Sequence, residues 1–234
     1  MKSKLAIALC LIGLVGIWGA AIAGSQDSTT SFVGNDEGLS SSSPEAMETA
    51  AVPPAPVEKT GQKTTYGTRD DGKLRKGVAW PNPRFTDNKD GTVTDNLTGL
   101  IWLKNAGCTK FWATDTTGDN KRDWNGALTA ANKLKSGFCG LNDGSVAGDW
   151  RLPNSKELHS LIDLRFDTPA LPNTAGTGQW TEGHPFSSVA SYYWSSSTRA
   201  SATTYAWYVY MYCGIVYCDS KGNGQCVWPV RGGQ

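Results

Sequence analysis

The chain reads as an α+β protein: two helices, short antiparallel sheets and long loops. Three observations predict this. Asp90-Gly91, set between Phe85 and Val93, is a β-hairpin signal. Two stretches in the middle of the chain carry helical periodicity behind capping residues. The last forty residues then run as successive short strands rich in Tyr and Trp, separated by Gly- and Ser-containing turns. Early strands, then helices, then a late antiparallel set make the α+β order.

At the N-terminus, Lys2 and Lys4 precede an apolar run that closes on the small residues Ala21 and Ala23, the pattern of a secretory signal over residues 1–23. The run is long enough that an uncleaved anchor is the alternative. Cys10 lies inside it as an apolar filler. Export places the protein outside the cell or on its surface, with the periplasm as the alternative, and permits disulfides. Residues 24–79 are rich in Ser, Thr, Pro and Ala and poor in large apolar groups. They read as a flexible linker that cannot bury enough surface to offset its ordering entropy. The folded domain is expected over residues 80–234.

The strand Leu100-Ile101-Trp102-Leu103 follows the first hairpin. Asp87, Asp90 and Asp95 invite a calcium reading, as do Asp115, Asp119 and Asp123. Neither set has the alternate-position acids and terminal Glu of a calcium loop, so turn chemistry explains them better. Asp123 is the N-cap of a helix with Trp124, Ala127, Leu128, Ala131 and Leu134 on one face and Gly137 as its stop. Asn154 and Glu157 have capping-box spacing before a second helix, whose stripe is Leu158, Leu161 and Ile162. His159 falls off that stripe and is expected in solvent.

The net charge of +1 in 234 residues leaves no electrostatic footprint for nucleic acid. Only the N-terminal segment has business with a membrane. No Ser/His/Asp order suggests a hydrolase, and His159 and His184 are the only imidazoles. The reading is therefore not an enzyme, with no cofactor and no metal site.

The segment "AWYVYMYCGIVYCDSKGNGQCVWPVRGG" carries the functional signal. On a strand, successive side chains face opposite ways. Trp207, Val209, Met211 and, across the Cys213-Gly214 turn, Val216 form an inner set. Tyr208, Tyr210, Tyr212, Ile215 and Tyr217 form an outer one. Tyrosine suits a contact surface, offering apolar area and a polar tip at low entropy cost. With Tyr205, Cys213, Cys218, Asp219 and Asn223, these outer residues are the candidate ligand-binding set. Their partner would be a protein or polysaccharide at a cell surface. The bland alternative is a tyrosine-lined sheet face covered by a loop.

The cysteines after Cys10 number five. Cys108 and Cys139 bracket the first helix and are expected to pair. Cys213, Cys218 and Cys226 fall at or beside the outer face. They lack the paired spacing of a zinc site. A Cys218–Cys226 bridge across "DSKGNGQ" is the structural fallback.

The ordered motifs "DGTVTDNLTGLIWLK", "DWNGALTAANKL", "DWRLPNSKELHSLID", "YYWSSST", "AWYV" and "VWPVRGG" resemble the Lcl C-terminal domain family over about Arg84 to Gly233. The resemblance implies a C-type-lectin-like fold related to formylglycine-generating enzymes, in exported bacterial proteins that serve as adhesins or binders, some of sulfated polysaccharide. The Tyr-rich hairpin before "VWPVRGG" also resembles the variable proteins of diversity-generating retroelements. There a reverse transcriptase randomises template adenines, turning AAC codons into any codon ending in C. Tyr, Cys, Ile, Asp, Ser, Gly and Asn are reachable in this way. Trp207, Met211, Lys221, Gln225 and Trp228 are not, and would be fixed scaffold. In this reading the three C-terminal cysteines are chance products of diversified codons. Two alternatives remain. The Cys213/Cys218 spacing matches the copper pair of formylglycine-generating enzymes, which would make a copper-dependent thiol oxidase. The chain could also be a structural surface component.

Overall fold

A computed structural model describes residues 57–232. The signal or anchor segment 1–23 and the linker as far as residue 56 lie outside the described residues, as does Cys10. The described chain lies within one unit, Pro53–Gln234.

Residues 57–79 depart from the linker expectation. Lys59 N–H bonds the Val78 carbonyl, and Leu164 N–H bonds the Thr60 carbonyl. A one-turn helix, α1 (Asp71–Leu74), is capped by Asp70. The composition is indeed poor in large apolar groups, and Tyr66 is exposed. Backbone hydrogen bonds and the Trp80 indole, which donates to the Lys59 carbonyl at 3.0 Å, hold the segment instead. With α1 there are three helices among the described residues rather than two.

Strands β1 (Phe85–Asp87) and β2 (Thr92–Asp95) form the expected hairpin around Asp90-Gly91. Gly91 has φ +86°, and a Cβ there would meet the Gly140 carbonyl at 2.3 Å, so only glycine fits. Strand β3 (Ile101–Leu103) adds to β2, and the final strand β9 (Val230–Arg231) adds to β3. The first and last described strands thus belong to one sheet of order β1-β2-β3-β9.

Strand β4 (Lys121–Arg122) leads into α2 (Trp124–Lys133), whose N-cap Asp123 accepts the Gly126 N–H at 2.7 Å. The helix stops at Lys133, short of Gly137, because buried Leu134 is already extended (ψ 138°). Helix α3 (Ser155–His159) has the predicted Asn154/Glu157 capping box. It lasts only five residues, so Leu161 and Ile162 are buried from the turn that follows. Strands β5 (Tyr192–Thr198), β6 (Tyr205–Tyr210), β7 (Ile215–Ser220) and β8 (Gln225–Cys226) complete a second sheet of order β4-β8-β5-β6-β7. Among the described residues every strand pair is antiparallel except β5 with β8. The observed architecture is α+β.

The core joins the two sheets through aromatics. Trp228 sits within 5.6 Å, centroid to centroid, of Trp102, Phe186 and Tyr193. Its indole donates to the Leu103 carbonyl at 2.8 Å, and the Trp194 indole donates to the Arg122 carbonyl at 3.0 Å. Buried Arg84 grips Asp95 with two hydrogen bonds and donates to the Ser160 carbonyl, tying the first hairpin to the end of α3. The aspartates weighed for calcium serve turns and ion pairs. Asp90 bonds Thr92, Asp119 bonds the Lys121 N–H, and Asp115 pairs with Arg122. Among the described residues, no group of three or more His, Cys, Asp or Glu is placed to hold a metal ion. No described helix is long and apolar enough to cross a membrane.

Candidate functional site

The β6–β7 hairpin pairs without a register shift: Tyr208 opposes Tyr217, Val209 opposes Val216 and Tyr210 opposes Ile215. Opposed residues share a face. On one face lie Tyr208, Tyr210, Ile215 and Tyr217. On the other lie Trp207, Val209 and Val216. Val209 is fully buried, as is Met211 just beyond the strand. The inner and outer sets are as the alternation predicts.

Strand β5 extends the aromatic face. Tyr192 stands opposite Tyr210 and stacks on it, centroids 4.5 Å apart and planes 10° apart. Tyr192 also meets Tyr208 edge-on at 5.8 Å. Tyr208 reaches Tyr217, and Tyr210 reaches Tyr212 at 5.3 Å. Five tyrosines and Ile215 therefore form one continuous patch. Tyr192, Tyr212, Ile215 and Tyr217 are exposed, Tyr217 most at 61%. Tyr208 meets buried Trp194, its partner on β5 on the same face, edge-on at 6.2 Å. No charged side chain belongs to this cluster.

Burial raises the Tyr208 phenol above its ordinary pKa, and the Asp219 carboxylate adds to the effect. Partial burial and the neighbouring Tyr192 hydroxyl raise Tyr210 likewise. Both hydroxyls stay protonated at neutral pH, so the patch is uncharged and presents hydrogen-bonding tips.

The hairpin tip is held from below. Gly214 (φ +73°) donates to the Tyr210 carbonyl, Thr168 N–H bonds the Tyr212 carbonyl and Ala170 N–H bonds the Met211 carbonyl. His159 corrects its expectation. It is half-buried, not free in solvent, because its Nε2 lies 3.1 Å from the Gly214 carbonyl and fastens the turn to α3. The patch thus stands on a fixed base, which limits the ordering cost of contact.

The remaining candidates divide. Tyr212 and half-exposed Cys213 lie at the tip, beside the patch. Asp219 shares the patch face but is engaged by the Asn223 amide at 2.7 Å and the Gln225 amide at 2.9 Å, so Asp219 and Asn223 order the β7–β8 turn. Tyr205 and Cys218 are corrections. Their register, Tyr205 with Ser220 and Cys218 with Trp207, puts them on the reverse face, where Cys218 meets the Arg199 guanidinium at 3.4 Å. Cys226 is also corrected. It is buried on β8, opposite Tyr193 and Lys121, and burial raises its thiol pKa.

Cys108 and Cys139 form the expected disulfide. Cys213, Cys218 and Cys226 are free thiols, so the Cys218–Cys226 fallback is not formed. The sheet order explains this: β5 and β6 separate β8 from β7, a gap of roughly 14 Å at normal strand spacing, beyond disulfide reach.

Sequence reasoning missed Tyr192. Its only signal was "YYW" on a strand of the same sheet, and the register that sets it against Tyr210 is not local.

None of the curated proteins compared with the chain matches it. The family model of the Lcl C-terminal domain matches residues 91–231, from the β1–β2 turn through β9 and including the whole tyrosine hairpin. The match spans more than half of the sequence, and the chain belongs to the Lcl C-terminal domain family.

Proposed function

We propose that the protein is an exported, surface-displayed binding module and not an enzyme, whose tyrosine patch contacts a protein or glycan ligand. The continuous patch of Tyr192, Tyr208, Tyr210, Tyr212, Ile215 and Tyr217, uncharged and backed by buried Val209 and Met211, carries this reading. Large aromatic groups with polar tips on an immobile frame are what a contact surface requires. Membership of the family supports a surface role. The patch has no Lys or Arg, so a sulfated polysaccharide is poorly matched to this face; a protein or a neutral glycan fits it.

Diversification by a retroelement would act on this hairpin. Met211 and Trp228, which adenine randomisation of AAC codons cannot produce, are fully buried. Ile215 and Tyr217, which it can, are among the most exposed. The gene tests this part. Codons for Tyr208, Tyr210, Tyr212, Cys213, Ile215, Tyr217, Cys218 and Asp219 should end in C and align with AAC-rich codons of a template copy beside a reverse transcriptase gene. A genome without such a copy overturns it.

The copper-oxidase alternative draws less support from this hairpin. Cys213 lies at the hairpin tip, whereas Cys218 turns to the reverse face of β7, where it meets the Arg199 guanidinium, a cation that disfavours a bound copper ion beside it.

The binding proposal is tested by changing Tyr192, Tyr212 and Tyr217 together to Ser. The variant should keep its fold by thermal melting and lose binding to ligands selected from glycan arrays and displayed polypeptide libraries. Retained binding would reject the patch as the contact site.

A further inference from the structure

We infer that the ligand of this site is an extended polypeptide that adds as a strand to the open edge of β7. The inference rests on the binding reading above and narrows it from protein or glycan to a β-strand.

The second sheet ends at β7, which among the described residues pairs only with β6. Gly214 N–H bonds the Tyr210 carbonyl at one end of the hairpin, and Lys221 N–H bonds the Thr204 carbonyl at the other. This fixes which residues face inward. Ile215, Tyr217 and Asp219 turn their backbone groups to β6, and alternation turns those of Val216 and Cys218 outward. No described partner meets the N–H or C=O of either residue. Ser220 is different: its N–H bonds the Asp219 carboxylate and its carbonyl accepts from Asn223, so the open edge ends there.

Nothing blunts this edge. It contains no Lys, no Pro and no bulge, and all six β6–β7 pairs are in register. Four backbone groups in a row match a polypeptide and have no counterpart in a glycan ladder.

Both sides of such a strand would find a surface. Side chains on the patch face would meet Tyr217 and Ile215. Those on the reverse face would drop into a groove of about 630 Å³ walled by Val57, Val78, Leu97, His159 and Val216. Val57 and Val78 are exposed on its lip. Its charges are one acid, Glu58, and one base, Lys156, so it favours apolar residues at the positions over Val216; Arg199, against Cys218 further along the edge, favours a polar or acidic residue there. A single extended chain fits a groove walled in this way. The edge of a second folded domain would bring a wall of its own.

Linear dodecapeptides displayed on phage, panned against the full chain, supply the probe. Selected peptides should place apolar residues at the positions that face the Val216 groove. N-methylating the two amides that pair with β7 should weaken binding to the unaltered protein by about tenfold or more. Cys218→Pro removes an outward N–H at a position where an edge strand tolerates proline, and should cost a similar factor while leaving the melting temperature within a few degrees. Tyr217→Ala should also weaken binding. The inference is overturned if no peptide is enriched, or if enriched peptides ignore both N-methylation and Cys218→Pro. It is also overturned if the edge is found occupied by a second copy, seen as a dimer that Cys218→Pro dissociates, or by residues 24–56, seen as binding only after their removal. Glycan binding that falls with Tyr217→Ala but not with Cys218→Pro would keep the patch and reject the strand.

Discussion

Replacing Gly214 by Ala tests the claim that the tyrosine patch rests on a fixed turn. Gly214 has φ +73°, where an L-residue costs about 1 kcal/mol. An added Cβ would lie 2.5 Å from Ile162 Cγ2 and 3.3 Å from Leu164 Cδ2. Accommodating that clash in packed surroundings costs a further ~1–3 kcal/mol. The sum, about 2–4 kcal/mol, should lower the melting temperature by roughly 5–15 °C for a domain of this size. Calorimetry and urea unfolding should agree, with an unchanged denaturant slope. Pairing the change with Ile162→Ala separates the two contributions. The double variant should be less destabilised than the sum of the singles by about 1 kcal/mol or more, because the clash is gone and the dihedral strain remains. A melting temperature within 2 °C of the parent (roughly the shift of a neutral surface change), or strict additivity with Ile162→Ala, would refute the packed left-handed turn.

Further outcomes follow from the same structure. Met211→Ala opens a cavity under the hairpin and should cost about 2–5 kcal/mol, whereas Tyr217→Ser should change stability by no more than about 0.5 kcal/mol; chemical denaturation of both compares the two faces directly. Reducing Cys108–Cys139, which closes a separation of 31 residues, should remove about 3–4 kcal/mol and be visible as a lower melting temperature in dithiothreitol. Asp115 is depressed below its ordinary pKa: burial opposes this, but the Phe111 and Thr117 N–H groups and Arg122 outweigh it. The stability it contributes is therefore present above the unfolded value of about 3.9 and lost as pH falls below it. Urea midpoints taken at about pH 6 and about pH 3 should fall further for the parent than for Asp115→Asn.

What was legible in the sequence is what is local. Asp90-Gly91 fixes a turn through backbone sterics, Asn154 and Glu157 cap each other across one helical turn, and the period of two sorts Val209 and Met211 from Tyr208 and Tyr210. The same parity, carried from Tyr217, places Cys218 on the reverse face; its place among codons open to diversification, not its parity, had put it in the contact set. What was not legible depends on pairings between distant segments. Tyr192 joins the patch only because β5 lies beside β6 in one register. Cys226 is buried because β8 inserts between β4 and β5. His159 lies off its helix's apolar stripe, yet it meets a carbonyl 55 residues away. Residues 57–79 are ordered by backbone hydrogen bonds and the Trp80 indole, which composition does not record.

The most direct test of the account is the affinity of the full chain for its selected ligand, measured before and after Tyr192, Tyr212 and Tyr217 are changed together to Ser, with the melting temperature followed in parallel. The account predicts a loss of affinity of about a hundredfold or more, since aromatic contacts at the centre of an interface carry about 1–2 kcal/mol each, with melting shifted by only a few degrees. Unchanged affinity in a folded variant would contradict it, and so would a collapse of the fold, which would make these tyrosines core and not contact surface.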